Sequence, residues 1–242
     1  MRNINNKNIR NGCKDIWNAY MVQGAIFSEH DIPFCPTTAK EIPSKIITFE
    51  EAKEIYKQNL RNKNKKFKST DFVCFYIDDY KFDSTNGIWF KPSIAIRILS
   101  HFAGIITPDF STYQDFPQPL KAWNTYRMRA FGYWYGKQGN QVINNVRIDF
   151  DLPELSLEGI PKNDIICIGT VGSNIWKLEN RVIFEEYFYK IIEILTPKTI
   201  LVYGSANYEC FQKAKEMGIE VISYPSKTNQ VFARRKKHEQ VL

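Results

Sequence analysis

From Asp71 onward the chain alternates short apolar runs with amphipathic stretches of helical period, and this rhythm limits its fold more than any other feature. Phe72–Ile77, Ile105–Thr107, Gln141–Ile148, Ile165–Gly169, Thr199–Tyr203 and Ile219–Tyr224 read as strands. Between them lie helical patterns. Pro92 opens a stripe of Ile94, Ala95, Ile98, Leu99 and Phe102 that Gly104 stops. An aromatic-rich helix is expected from about Gln118 to Lys137, and further helices over Arg181–Leu195 and Tyr208–Met217. Strands that are apolar throughout, joined by helices, belong to a parallel sheet buried on both faces. Six such strands are too few for a closed eight-stranded barrel. The expected class is α/β: an open wound sheet of about six parallel strands with flanking helices, or alternatively an incomplete barrel.

The first 70 residues do not share this rhythm. Asp15–Gln23 could form a short helix, and Ile32–Pro43 carries three prolines, so it must run extended. Thr48 and Glu51 have capping-box spacing ahead of Phe49, Ala52, Ile55 and Tyr56, which marks a helix start. Lys57–Lys68 should end that helix as a mobile basic linker. The expected division is therefore an N-terminal arm, helix and linker over 1–70, packing on an α/β core over 71–242 with a basic C-terminal tail.

The net charge of +7 is local. Lys57–Lys68 and Arg234–Lys237 hold six and four basic residues with no acid, and the remainder is slightly acidic. Such segments can attract the phosphates of a nucleotide or nucleic acid, or simply be solvated. No apolar run approaches the roughly 20 residues of a membrane span, and the start of the chain has no apolar signal core. Five scattered cysteines suggest neither a zinc site nor a disulfide framework, and a reducing cytoplasm is the expected compartment. The three histidines form no HxH or HExxH pattern, and there is no GxSxG elbow. Zinc proteases, paired-histidine nucleases and elbow-type serine hydrolases are thereby disfavoured.

In parallel α/β folds ligands bind where the strands end and the following loops meet. That rule selects Asp78 and Asp79 after the first of the six runs, Asp109 and Ser111 after the second, and Arg147, Asp149 and Asp151 at the end of the third. It adds Ser173 after the fourth and Ser205 after the fifth. Asn124 and Arg127, spaced i,i+3, stand near the same rim on the aromatic helix. Arg127 falls on the apolar stripe of Leu120, Trp123, Phe131 and Trp134, so it must be paired or line a cleft. Asp79, Asp109 and Arg127 are the candidate catalytic residues. Asp78, Ser111, Asn124, Arg147, Ser173 and Ser205 are the candidate ligand-binding ones. Carboxylates there could hold Mg²⁺ or act as a base, and Arg127 could bind phosphate, or else pair with Asp109 or Asp79 and lock the loops. No dedicated protein metal site is expected.

The segments DIPFCPTTAKEIP, FVCFYIDDYKFD, HFAGIITPDFSTYQDFP, NTYRMRAFGYW, INNVR, GIPKNDIICIGTVGS, ILVYGSANY and ISYPS together resemble the bacterial and phage family known as domain of unknown function 4417. The likeness runs from about residue 20 to 238. Members of that family often carry a tryptophan after the INNVR segment, where this chain has Ile148. The resemblance implies a gene carried by phages, plasmids or conjugative elements, and supplies no activity or catalytic residue. Two functions remain as expectations. One is binding of a phosphorylated ligand, nucleotide or nucleic acid, at the strand ends. The other is a non-enzymatic interaction with a host defence or replication protein.

Overall fold

A computed structural model describes residues 17–149 and 151–227. The chain divides into two compact units, Met1–Lys162 and Asn163–Leu242. The first holds strands β1 (Ile46–Thr48), β2 (Phe72–Cys74), β3 (Gly104–Ile106) and β4 (Gln141–Asn145), with helices α1 (Phe49–Arg61), α2 (Pro92–Leu99), α3 (Gln118–Lys137) and α4 (Pro153–Leu157). The second holds β5 (Ile165–Gly169), α5 (Leu178–Leu195), β6 (Thr199–Tyr203), α6 (Glu209–Glu216) and β7 (Glu220–Tyr224).

Within each unit the described strands pair in parallel: β1 with β2, β2 with β3 and β3 with β4 in the first, β5 with β6 and β6 with β7 in the second. The protein is thus α/β with flanking helices, as the alternation of runs required. Each strand lies beside its successor in sequence. The winding never reverses inside either unit, which is the order of a barrel segment rather than of a sheet wound in two directions.

Local chemistry explains the boundaries. The Thr48 hydroxyl accepts from the Glu51 N–H at 3.2 Å, and the Glu51 carboxylate accepts from the Thr48 N–H at 2.8 Å, so the capping box forms and starts α1. Pro92 occupies the first turn of α2. Gly104 begins β3 where a Cβ would lie 2.4 Å from the Phe72 ring and 2.8 Å from the Gln141 carbonyl, so only glycine fits.

Three differences from the sequence reading have physical causes. The strand β1 is only three residues long, so it shows no period of its own; its burial comes from pairing with β2. The short helix α4 lies between two of the expected strands where no helix is expected, and Pro153 at its first turn starts it. Lys57–Lys68 is not all linker: α1 runs to Arg61, and Phe67 stacks on His101 at 4.4 Å. Of the helix expected at Asp15–Gln23, the described part is one 3-10 turn, Ala19–Val22. Cys13 and Arg234–Lys237 lie outside the described residues.

The arm is held by backbone bonds in its extended stretch. Cys35 N–H donates to the Gly159 carbonyl at 2.8 Å, and Thr38 N–H donates to the Val142 carbonyl at 3.0 Å. The core of the first unit gathers Val73, Phe75, Phe82, Trp89, Leu99, Ile105, Phe110, Met128 and Phe131. Helix α3 lies within this core and is buried around most of its circumference.

Candidate functional site

Residues on an α-helix are about 100° apart, so Arg127 and Arg129 leave α3 in nearly opposite directions. Both are buried, and each solves the problem of an inward guanidinium differently. Arg127 Nη1 donates to both carboxylate oxygens of Asp83, at 2.9 and 2.8 Å, and Nη2 donates to Asn124 Oδ1 at 2.6 Å. Its guanidinium lies 3.9 Å from the Phe110 ring centroid, with Trp89 and Trp123 at 5.8 and 5.9 Å. Burial lowers its pKa, and Asp83 opposes that shift. The expected pairing with Asp79 or Asp109 does not form. Asp83 lies in the turn after a 3-10 segment, Asp79–Lys81, and no periodicity in sequence announces its partner.

Arg129 has no carboxylate among the described residues. It donates to three backbone carbonyls: Nε to Glu158 at 3.1 Å, Nη1 to Asn145 at 3.2 Å and Nη2 to Ser156 at 3.0 Å. Burial brings its pKa down to about 10. It staples the end of β4 to α4 and serves architecture. Beside it, the buried Cys35 thiol is pushed up to about 12 by burial, which leaves it unreactive.

The polar rim forms where β2, β3 and β4 end. Asp79 accepts from the Ser111 N–H at 3.1 Å and from the Ser111 hydroxyl at 2.9 Å. The Ser111 carbonyl accepts in turn from Asn124 Nδ2, so Asp79, Ser111, Asn124, Arg127 and Asp83 form one chain of contacts. Asp109 accepts from Asn145 Nδ2 at 2.8 Å and from Arg147 Nη1 at 3.0 Å. Arg147 Nε donates to the Thr112 hydroxyl at 3.3 Å, and its guanidinium lies 5.7 Å from the Tyr113 ring centroid. Its charge is secure: burial works against it, but Asp109 outweighs that and raises the pKa. Lys121 is buried between Asp149 at 3.2 Å and Asp151 at 2.5 Å.

Of Asp78, Asp79, Asp83, Asp109, Asp149 and Asp151, Asp79 alone forms no ion pair among the described residues; Asp78 pairs with Lys81 at 3.2 Å. Burial raises the Asp79 pKa, and the charge of nearby Asp109 adds to the rise, while the Ser111 hydrogen bonds and Arg147 pull the other way. The structure therefore brings Asp79, Asp109, Ser111, Asn124, Arg127 and Arg147 together, with Asp78 exposed at the margin. Asp83 and Asn145 belong to the same assembly and are not among the candidates, and Tyr113 stands beside Arg147. An acid a few residues past a strand end is the signal that could have found Asp83.

Ser173 and Ser205 belong to the second unit. The Ser173 hydroxyl donates to the Thr170 carbonyl at 3.0 Å, and the Ser205 hydroxyl accepts from Asn207 N–H at 3.2 Å. Neither caps a helix: α6 starts behind Tyr208, whose side chain makes no capping bond. Among the described residues no group of three or more His, Cys, Asp and Glu side chains is placed to hold a metal ion. Asp79 and Asp109 could supply two carboxylates to Mg²⁺ whose other ligands are phosphate and water, the usual mode for that ion. No helix among the described residues is long and apolar enough to cross a membrane.

The basic stretch Lys57–Lys68 lies at the other edge. Helix α1 starts at the end of β1 and its 13 residues carry the chain back about 20 Å. Lys68 Nζ there donates to the Ser100 carbonyl behind α2. His101 Nδ1 lies 2.8 Å from the Phe67 carbonyl, a structural contact.

Over 154 residues the chain is 27% identical to the Gene 1 protein of Mycobacterium phage D29, covering 63% of this chain and 54% of the relative. Over 149 residues it is 25% identical to the Gene 1 protein of Mycobacterium phage L5, covering 61% and 63%. The chain thus spans between half and two thirds of the length of these curated relatives. No solved structure matches it. The family described as a domain of unknown function, DUF4417, matches residues 26–225, which covers most of both units, and the chain belongs to that family.

Proposed function

We propose that the first unit binds a phosphorylated ligand, a nucleotide or nucleic acid, at the ends of β2, β3 and β4. The observation that carries this reading is an imbalance at the rim. Asp79 is half-buried without a cation in contact, while neighbouring Arg147 spends Nη1 and Nε on Asp109 and Thr112 and donates nothing from Nη2 among the described residues. Its side chain keeps 28% of its surface in solvent. A guanidinium held rigidly by an acid, with one edge open, suits a phosphate oxygen. Asp79 then supplies a carboxylate for Mg²⁺ or a ligand hydroxyl. Arg127 is committed to Asp83 and shapes the site from behind. The test is binding of nucleotides and of single- and double-stranded nucleic acid, with and without Mg²⁺. Loss of binding in Arg147→Gln and Asp79→Asn is expected; unchanged binding in both removes the site.

A second reading concerns the second unit and rests on a different observation. Val171, Trp176, Leu178, Val182 and Ile183 expose 41 to 71% of their surface along the start of α5 and the loop before it. Apolar groups left in water in sequence order favour a protein partner, in keeping with an interaction module aimed at a host factor. A stoichiometric complex captured by the wild type and lost on Trp176→Ser and Leu178→Ser would support it.

A further inference from the structure

We infer that the rim takes a single nucleotide, with its base on the Tyr113 ring and its phosphate on Arg147 Nη2, rather than a polynucleotide. This rests on the phosphorylated-ligand reading and narrows it. Tyr113 leaves 55% of its surface in solvent although it follows the buried residues Ser111 and Thr112. Its ring is fixed on two sides: Phe116 meets it edge-on at 5.2 Å, and the Arg147 guanidinium lies over one face at 5.7 Å. The exposed part of the ring is the stacking surface for a base. The phosphate goes to the neighbouring Arg147, and Asp79, tied to the same loop by its bonds to Ser111, accepts from a ribose hydroxyl.

The charge pattern selects the size of the ligand. A polynucleotide needs a track of cations along its backbone. At this rim Lys81, Lys121, Arg127 and Arg147 are each already paired with an aspartate. The unpaired basic residues within Lys57–Lys68 stand at the opposite edge, about 20 Å along α1. Among the described residues the rim therefore offers one open guanidinium edge, enough for one phosphate group.

The test titrates the full chain with 5′-nucleoside monophosphates, inorganic phosphate and a thymidine 12-mer, with and without Mg²⁺, followed by calorimetry. A nucleotide should bind at least about tenfold more tightly than inorganic phosphate, the order expected for one stacked base. Tyr113→Ala should remove that advantage and leave phosphate binding intact. Arg147→Gln should abolish both; if it fails to fold by circular dichroism, Arg147→Lys retains the Asp109 pair, loses the open edge and replaces it. Equal binding of nucleotide and inorganic phosphate, unmoved by Tyr113→Ala, overturns the base platform but leaves the phosphate site standing. Absence of binding by every phosphate compound overturns both. Tighter binding of the 12-mer, with affinity falling steeply with salt, overturns the restriction to one nucleotide.

Discussion

Arg127 and Asp83, 44 residues apart in sequence, meet in a two-point contact at 2.9 and 2.8 Å, with both side chains largely withdrawn from water. The contact ties α3 to the turn after β2 and so fixes the rim on which Asp79 stands.

Removing one partner leaves a buried charge unmatched. Asp83→Ala should destabilise the protein by about 3–5 kcal/mol, read from urea unfolding. Replacing the pair together, as Arg127→Met with Asp83→Leu, should recover much of that loss, because no lone charge remains. A double variant as unstable as Asp83→Ala would mean that the pair acts through more than its charge.

Asp79 gives the opposite sign. Its folded pKa is raised, so the folded state holds the proton more tightly than the unfolded chain does. The resulting stability is fully present below the unfolded value and is lost as pH rises through the raised folded value. At neutral pH the ionised group is a burden. Asp79→Asn should therefore melt at or above the wild-type temperature at pH 7, and its advantage should shrink as pH falls. Asp109→Asn, which unpairs Arg147, should melt lower.

Gly132 sits where α3 approaches β3 and the arm. A Cβ there would lie 2.5 Å from Thr107 Cγ2 and 2.6 Å from Cys35 Sγ. Gly132→Ala should cost about 1–3 kcal/mol of overpacking. Adding Cys35→Ala should return part of it, measurable as a partial recovery of the denaturant midpoint.

His30 reports on the arm. Its Nδ1 lies 2.6 Å from Glu158, and that hydrogen bond, followed by the Glu158 charge, raises its pKa above 6.5. The contribution is fully present below 6.5 and disappears as pH rises through the raised folded value. It is small, since the ring is exposed and salt screens it. Proton NMR should place the His30 midpoint above the usual range, and Glu158→Gln should return it. An unchanged midpoint in that variant would dissociate His30 from Glu158.

The alternation of apolar runs and helical stripes, with Thr48, Pro92 and Gly104 as punctuation, determined from sequence alone that the chain is a parallel α/β protein. Those signals are local: period, caps and breakers act within a few residues. The burial of Arg127 was legible too, because its place among Leu120, Trp123, Phe131 and Trp134 left it no exposed side. Its partner was not, since the choice among Asp79, Asp83 and Asp109 depends on how a turn after one strand meets a helix after the next. Tertiary structure alone decided that Asp83 takes Arg127, that Asp109 takes Arg147, and that Asp79 is left without a cation among the described residues. It also made a strand of Ile46–Thr48, a segment too short to carry a pattern and defined by the neighbour that completes its hydrogen bonds.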